Sequence, residues 1–396
     1  MSVVVSIYRS LFLLILLSFS CNTSYEFVDE IGDTEEAQYF DWSIVEHIPD
    51  SYKCYNEDRI IKVIFKFINS SDTLLKFDRE HAIDVANILV SDVNKRLRSN
   101  AKMNLPLEND TPVLDAHVTL KLESKNVFIH YDEEPFFRKK GKNSNQYNRD
   151  IINKYIDDSG KYLNIFVMPF DPEEIKSGIQ RYDKSGIALG SSIKLAGVMD
   201  SGQPAWNYGG LLLHELGHAL SLRHSWNNND GCEDTPRHAN CWSNTGEAPC
   251  NQIESNNFMD YNPHQVAITP CQIIKMHTAL ASEGTKQHRL LEVNWCEKIE
   301  GDTRIADVQH WANPVLNARD IVIERGGVLI VSSWLSMARD TRITVHKGGQ
   351  LLIDGGRIYN YCKSPWNGIF VHPKGLMKSR NNSLVEHVTL EVIDRN

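Results

Sequence analysis

The chain has 396 residues, 41% of them hydrophobic and 23% charged, with a formal net charge of −9. That length exceeds one ordinary domain, and the composition suits folded units with cores of normal size rather than a disordered chain. An acidic balance without a basic stripe argues against a nucleic-acid binder, and the short run "RKKGK" at 138–142 reads as a solvated loop.

Residues 1–20 read as a secretory signal, with one Arg, an apolar run from Leu11 to Leu17 too short for a membrane span, and small residues before Cys21. A cysteine directly after the cleavage region resembles a bacterial lipoprotein signal in which Cys21 is the lipidated N-terminus, although Ser18 and Phe19 depart from that pattern. Residues 21–54 are acidic and without periodicity, as in a tether or short pro-segment. No later segment is apolar enough to span a bilayer, so membrane contact is expected only through the N-terminal lipid.

Apolar residues at Ile61, Val63, Phe65 and Phe67 predict a strand over 59–68. Helical spacing of Ala82, Val85, Ala86, Leu89, Val90, Val93 and Leu97 predicts a long helix, with Asp78 as its N-cap. Further strands are expected over 116–122 and 162–170, and a short Gly-broken strand near a cleft over 186–193. A mixed α/β sheet with the long helix packed on it is the natural assembly.

The next helix carries "HELGHALSLRH" (214–224), with Leu213, Leu216 and Leu220 as its buried stripe. His214 and His218, four residues apart, share one face at about 5–6 Å between Cβ atoms, a spacing at which two imidazoles can hold one Zn2+. Glu215 is too close in sequence to His214 to be the third ligand, but it can take a proton from a water polarised by the metal. His224 reaches the same ion only if the chain turns after Leu220. Glycine would make that turn freely; Ser221 stands there instead, at a cost of about 1 kcal/mol, small beside the free energy of zinc coordination. A distant third ligand, Glu233 or Glu247, is the weaker alternative. No pattern around Cys54 or Cys362 supports nucleophilic catalysis, although a Cys54 thiolate could cap the zinc in a latent precursor.

An exported chain keeps disulfides. Cys232, Cys241, Cys250 and Cys271 crowd into one loop-rich stretch, where two disulfides are expected with all three connectivities open. The lack of a paired C-x-x-C argues against a second zinc site there. A Cys54–Cys296 bond would close the ends of one domain.

"HELGHALSLRH" matches H-E-x-x-H-x-x-G-x-x-H at every defined position except the Gly, and "NNFMDYNP" (256–263) supplies a Met-containing turn. Together with "HSWNNNDGCEDTP" and "ITPCQIIKMH", these motifs resemble the metzincin zinc metallopeptidases of the pappalysin and cytophagalysin branch. The likeness runs roughly over 55–300 and is dense over 205–277. It implies His214, His218 and His224 as zinc ligands and Glu215 as general base. It further implies Met259 as the apolar floor under the ligands and Tyr261 as a hydrogen-bond donor to the tetrahedral intermediate. Protein or peptide substrates follow from it, and it leaves room for Ca2+ near Asp230 and Asp234.

The tail differs in kind. "DIVIERGGVLIV" (320–331) recurs as "RITVHKGGQLLI" (342–353), and "IFVHPKGLMKS" (369–379) is a looser third copy. Short strands around a Gly-containing corner at this period suggest rungs of a parallel β-helix, with a β-sandwich as the alternative. "SPWNGIFV" (364–371) also resembles a segment of bacterial surface β-helix proteins. The expected layout is an α+β metzincin-like catalytic domain over 55–298, with mixed sheet, long helices, active-site helix and Met-turn. A small all-β, β-helix-like domain over 299–396 follows. The expected function is that of an exported zinc-dependent endopeptidase, secreted or held as a cell-envelope lipoprotein of a bacterium. The rival is a cell-surface binding or adhesion protein with a vestigial metal site, favoured by the β-helix and Ser221. No motif specifies the oligomeric state.

Overall fold

The computed structural model describes residues 24–26, 55–70, 76–138, 149–179, 185–226, 230–239, 241–243, 248–262 and 264–389. The signal segment, Cys21, most of the acidic tether, Cys54, Glu247 and most of the "RKKGK" run lie outside them. The first described element, β1 (Ser24–Glu26), pairs with a C-terminal strand. The chain divides into two compact units, one spanning Tyr55–Glu292 and the other holding Val293 onward.

The first unit is built on a six-stranded sheet whose spine is β2 (Arg59–Ser70). One edge of β2 pairs with β3 (Val118–Lys121) and then with β4 (Val127–Asp132); the other pairs with β5 (Leu163–Met168). All these pairings are parallel, so both faces of β2 need a cover, and beyond Lys62 every residue of the strand is buried. Helix α1 (Arg79–Arg98) covers β3 and β4 with Ala82, Val85, Ala86, Leu89, Val90, Val93 and Leu97 buried, and its N-cap Asp78 accepts from the His81 N–H. On the other face, Ile152 of α2 (Asp150–Tyr155) joins Ile68, Phe166 and Met168. The short helix α3 (Pro172–Lys176) follows β5.

The expected single strand over 186–193 is two. β6 (Ser185–Ala188) and β7 (Ser192–Ala196) form an antiparallel hairpin, closed by Gly190 at φ 72°. β7 continues the parallel sheet on β5, and β6 is the sheet's last strand. Helix α4 (Gly209–Ala219) packs against β6, β7 and α1. Helix α5 (Pro270–Ala281) starts at a capping box formed by Thr269 and Gln272, with Pro270 in its first turn, and α6 (Lys286–Arg289) ends the unit.

The second unit is all β. Its strands fall into three sheets. The first stacks β8 (Asp302–Ile305), β11 (Asp320–Ile323), β14 (Ile343–Val345) and β17 (Ile369–Val371) in parallel. The second stacks β9 (Val308–Trp311), β12 (Val328–Val331), β15 (Gln350–Asp354) and β18 (Leu376–Arg380) in the same sense. The third holds β10 (Val315–Asn317), β13 (Trp334–Met337), β16 (Arg357–Tyr359) and β19 (Leu384–Glu386), with β1 antiparallel on its edge. Ile321 pairs with Ile343 and Val328 with Gln350, each 22 positions apart. Ile321, Ile343, Leu329 and Leu351 are fully buried, as is the Trp366 side chain, whose Nε1 donates to the Glu386 carbonyl. A disulfide joins Cys296 to Cys362, which excludes the Cys54–Cys296 bond expected from sequence: Cys296 is committed within its own unit. No helix among the described residues is long and apolar enough to cross a membrane.

Candidate active site

Helix α4 ends where the histidine motif needs it to end. Leu222 N–H donates to the Gly217 carbonyl and Ser221 N–H to the His218 carbonyl, the reciprocal pattern of a Schellman C-cap. The residue that reverses the chain is Ser221, at φ 75°. A serine accepts this left-handed position at modest strain, and buried Leu220 and Leu222 anchor the turn on both sides. The turn returns His224 to the face that carries His214 and His218.

His224 Nε2 lies 3.2 Å from His214 Nε2 and 3.0 Å from His218 Nε2. His214 Nδ1 donates to the Phe258 carbonyl at 2.8 Å and His218 Nδ1 to the Leu222 carbonyl at 3.0 Å, so each of these rings carries its proton on Nδ1. Their Nε2 atoms then present lone pairs toward His224 Nε2. Burial, with His218 close by, lowers the His214 pKa to about 3 and that of His224 to about 4, and it lowers His218 as well. The rings are therefore neutral, the form that binds metal. Ligand nitrogens about 2.0–2.1 Å from a tetrahedral zinc stand about 3.3 Å apart, close to the separations here. The donor set fits Zn2+, whose charge would be met by one nitrogen from each of the three rings.

Glu215 is nearly fully buried beside the triad, and burial pushes its carboxyl up to about 8, opposed by a hydrogen bond from the Ala188 backbone of β6. A Cβ at Gly186, also on β6, would stand 3.0 Å from Glu215 Cγ and Oε1, so the last strand of the sheet lies against this carboxyl. Met259 is fully buried beneath α4. Its Sδ would come within 2.3 Å of a Cβ at Gly217, so the floor of the site depends on that residue lacking a side chain. The Tyr261 ring is half-exposed, with centroids 5.5 Å from His214 and 5.0 Å from His224, and it packs on Trp226 and Trp242. Burial and the Glu215 charge raise its pKa, which keeps the phenol protonated and able to donate.

Disulfides join Cys232 to Cys271 and Cys241 to Cys250, and tie the intervening loop to the start of α5. Asp230 accepts from Cys232 N–H and the Thr235 hydroxyl, and Asp234 from the Thr269 hydroxyl and Cys271 N–H. Both carboxylates thus organise the backbone. Glu233 is exposed, apart from the histidine cluster.

Sequence reasoning passed over Asp260, which lies almost fully buried between Met259 and Tyr261 and takes hydrogen bonds from Ser225, Ser255 and His238. An acid inside an apolar, buried turn was the available signal.

Residues 145–281 match the peptidase M43 family, described as pregnancy-associated plasma protein-A. This stretch holds the three histidines, Glu215 and Met259, and it marks the chain as carrying a metallopeptidase of the metzincin class. Within that class the segment is of the pappalysin kind, a zinc metalloendopeptidase. Among solved structures the chain is similar to mature mirolysin of Tannerella forsythia in complex with a cleaved peptide, at 15% identity and a TM-score of 0.42, covering 61% of this chain and 96% of that one. It is also similar to a promirolysin mutant of the same organism, at 14% identity and a TM-score of 0.39, covering 60% and 85%. No curated protein matches the chain.

Proposed function

We propose that the chain is an exported endopeptidase that hydrolyses protein or peptide substrates at the site built on α4. The observation that carries this reading is the convergence of three neutral Nε2 atoms, two with Nδ1 committed to backbone carbonyls, beside a buried carboxyl. His214, His218 and His224 would hold Zn2+, which supplies Lewis acidity toward a scissile carbonyl and lowers the pKa of a water toward 7. Burial alone lifts the Glu215 carboxyl to about 8; the charge of a bound Zn2+ would lower it, and the carboxylate, as general base, would then take a proton from that water and deliver it to the leaving amine. The Tyr261 phenol donates a hydrogen bond to the oxyanion that develops on the carbonyl carbon's oxygen. Strand β6 has one edge on β7 and no partner strand on the other among the described residues, so an extended peptide can add there as a further strand beside Glu215.

Three disulfides among the described residues support folding in an oxidising compartment, and so support export. The parallel stacking of three sheets, with 22-residue offsets between β11 and β14 and between β12 and β15, supports reading the second unit as a parallel β-helix domain, with the boundary near residue 293 rather than 298. The test is digestion of casein or gelatin with and without a zinc chelator, beside Glu215→Ala. The expected result is chelator-sensitive cleavage that Glu215→Ala abolishes. Purified protein is expected to hold about one zinc per chain, and His218→Ala to strip it, since two ligands forfeit most of the affinity. Equal zinc in both would refute the metal assignment, and no chelator-sensitive cleavage would favour a binding protein with a vestigial site.

A further inference from the structure

Asp260 is a buried carboxylate whose only ion-pair partner among the described residues is a histidine, His238, at 2.9 Å. Cys241 N–H donates to His238 Nδ1, and the same ring donates through Nε2–H to Asp260. The other donors are the hydroxyls of Ser225 on Oδ1 and Ser255 on Oδ2. Three hydrogen bonds orient the carboxylate, and no Lys or Arg side chain pairs with it among the described residues, which leaves room for a cation held nearby to be the partner of its charge. Asp260 acts electrostatically on two of the three site histidines, His214 and His224. Ser225, its donor, directly follows His224 in the chain.

We infer that Asp260 is a positioning residue for the metal. It supplies the anionic counter-charge for a divalent cation held by the three histidines, and through Ser225 it fixes the backbone that aims His224. His238 passes the same restraint to the cysteine loop, because Cys241, bonded to Cys250, both donates to His238 and accepts from Ser255 N–H through its carbonyl. The loop beyond the third histidine is thereby coupled to metal retention. This inference rests on the zinc reading of the histidines.

The test measures zinc affinity by chelator competition on the full chain, together with the visible absorption of the Co2+-substituted protein, which reports ligand geometry. Asp260→Asn is the principal variant: it keeps the shape, removes the charge and sets an N–H donor against at least one of the three donors. It is expected to weaken zinc about tenfold or more, as loss of an outer partner does, and to shift the Co2+ bands. His238→Ala is expected to weaken zinc several-fold, and His238→Gln, whose side-chain N–H can stand where Nε2–H does, to recover most of that loss. Should Asp260→Asn fail to fold, Ser225→Ala removes only the link to His224 and is expected to shift the Co2+ bands by itself. Unchanged affinity and unchanged bands in Asp260→Asn, or in Ser225→Ala if that variant stands in, would overturn the inference. His218→Ala separates the two layers: if it loses zinc while Asp260→Asn does not, only the positioning role falls; if it keeps zinc, the metal reading falls with it.

Discussion

At the scale of single residues, the site turns on two positions where backbone and side chain compete. Ser221 holds φ 75°, so Ser221→Gly removes a left-handed strain of about 1 kcal/mol while loosening the unfolded chain, and the two effects offset. The expected outcome is a melting temperature changed little and zinc affinity kept, whereas a clear loss of stability would mean the turn does not need the left-handed conformation. Gly217 behaves oppositely. Its added Cβ would sit 2.3 Å from Met259 Sδ, so Gly217→Ala is expected to cost about 1–3 kcal/mol through overpacking, seen as a lower denaturation midpoint. The histidines were legible because a four-residue step on a helix needs no tertiary information. Asp260 was not, since Ser225, Ser255 and His238 meet it only after the cysteine loop folds.

Among elements, the antiparallel hairpin decides what the active-site helix faces. Its sequence, "SGIALGSSI", was legible as one broken strand, but the Gly190 turn that makes it two depends on β7 docking beside β5. β4 escaped prediction because its buried and exposed residues do not alternate, and its partner, β2, is shared with β3 along one edge. Gly186 on β6 offers a direct probe. Gly186→Ala places a Cβ 3.0 Å from Glu215 Oε1, so kcat is expected to fall several-fold with zinc content unchanged; unchanged kcat would show that the carboxyl has room to move. In the second unit, Arg380 of β18 grips Asp354 of β15 through Nε at 2.9 Å and NH2 at 2.7 Å, which holds the Asp354 carboxyl below its ordinary pKa. A depressed carboxylate stabilises the fold above the unfolded value, near pH 4, and that contribution is lost as pH falls through the folded value. Asp354→Asn is therefore expected to cost about 0.5–1 kcal/mol at pH 7, a deficit that shrinks below about pH 4 in melting curves taken across pH.

For the whole molecule, the covalent cross-links are the part that sequence could not assign: three connectivities stood open in the cysteine loop, and Cys296 was set against Cys54. Mass mapping of non-reduced peptides is expected to recover Cys232–Cys271, Cys241–Cys250 and Cys296–Cys362; any exchange of partners among them would contradict the folded arrangement. The repeat in the tail was visible where turns are 22 residues long and hidden where they are shorter. β8 and β11 pair Asp302 with Asp320, and β9 and β12 pair Val308 with Val328, offsets that no constant period reveals.

The Cys296–Cys362 bond gives those stacked parallel strands a counting rule. Each added turn lengthens the stack by one inter-strand spacing, about 4.8 Å. The two Cα atoms are 6.0 Å apart, and a bridge tolerates little more. A tandem duplication between residues 302 and 361 would therefore carry one cysteine out of the other's reach, whereas duplication past residue 362 would leave the bond untouched. Inheritance of length is thus clamped on one side of a single cross-link and free on the other.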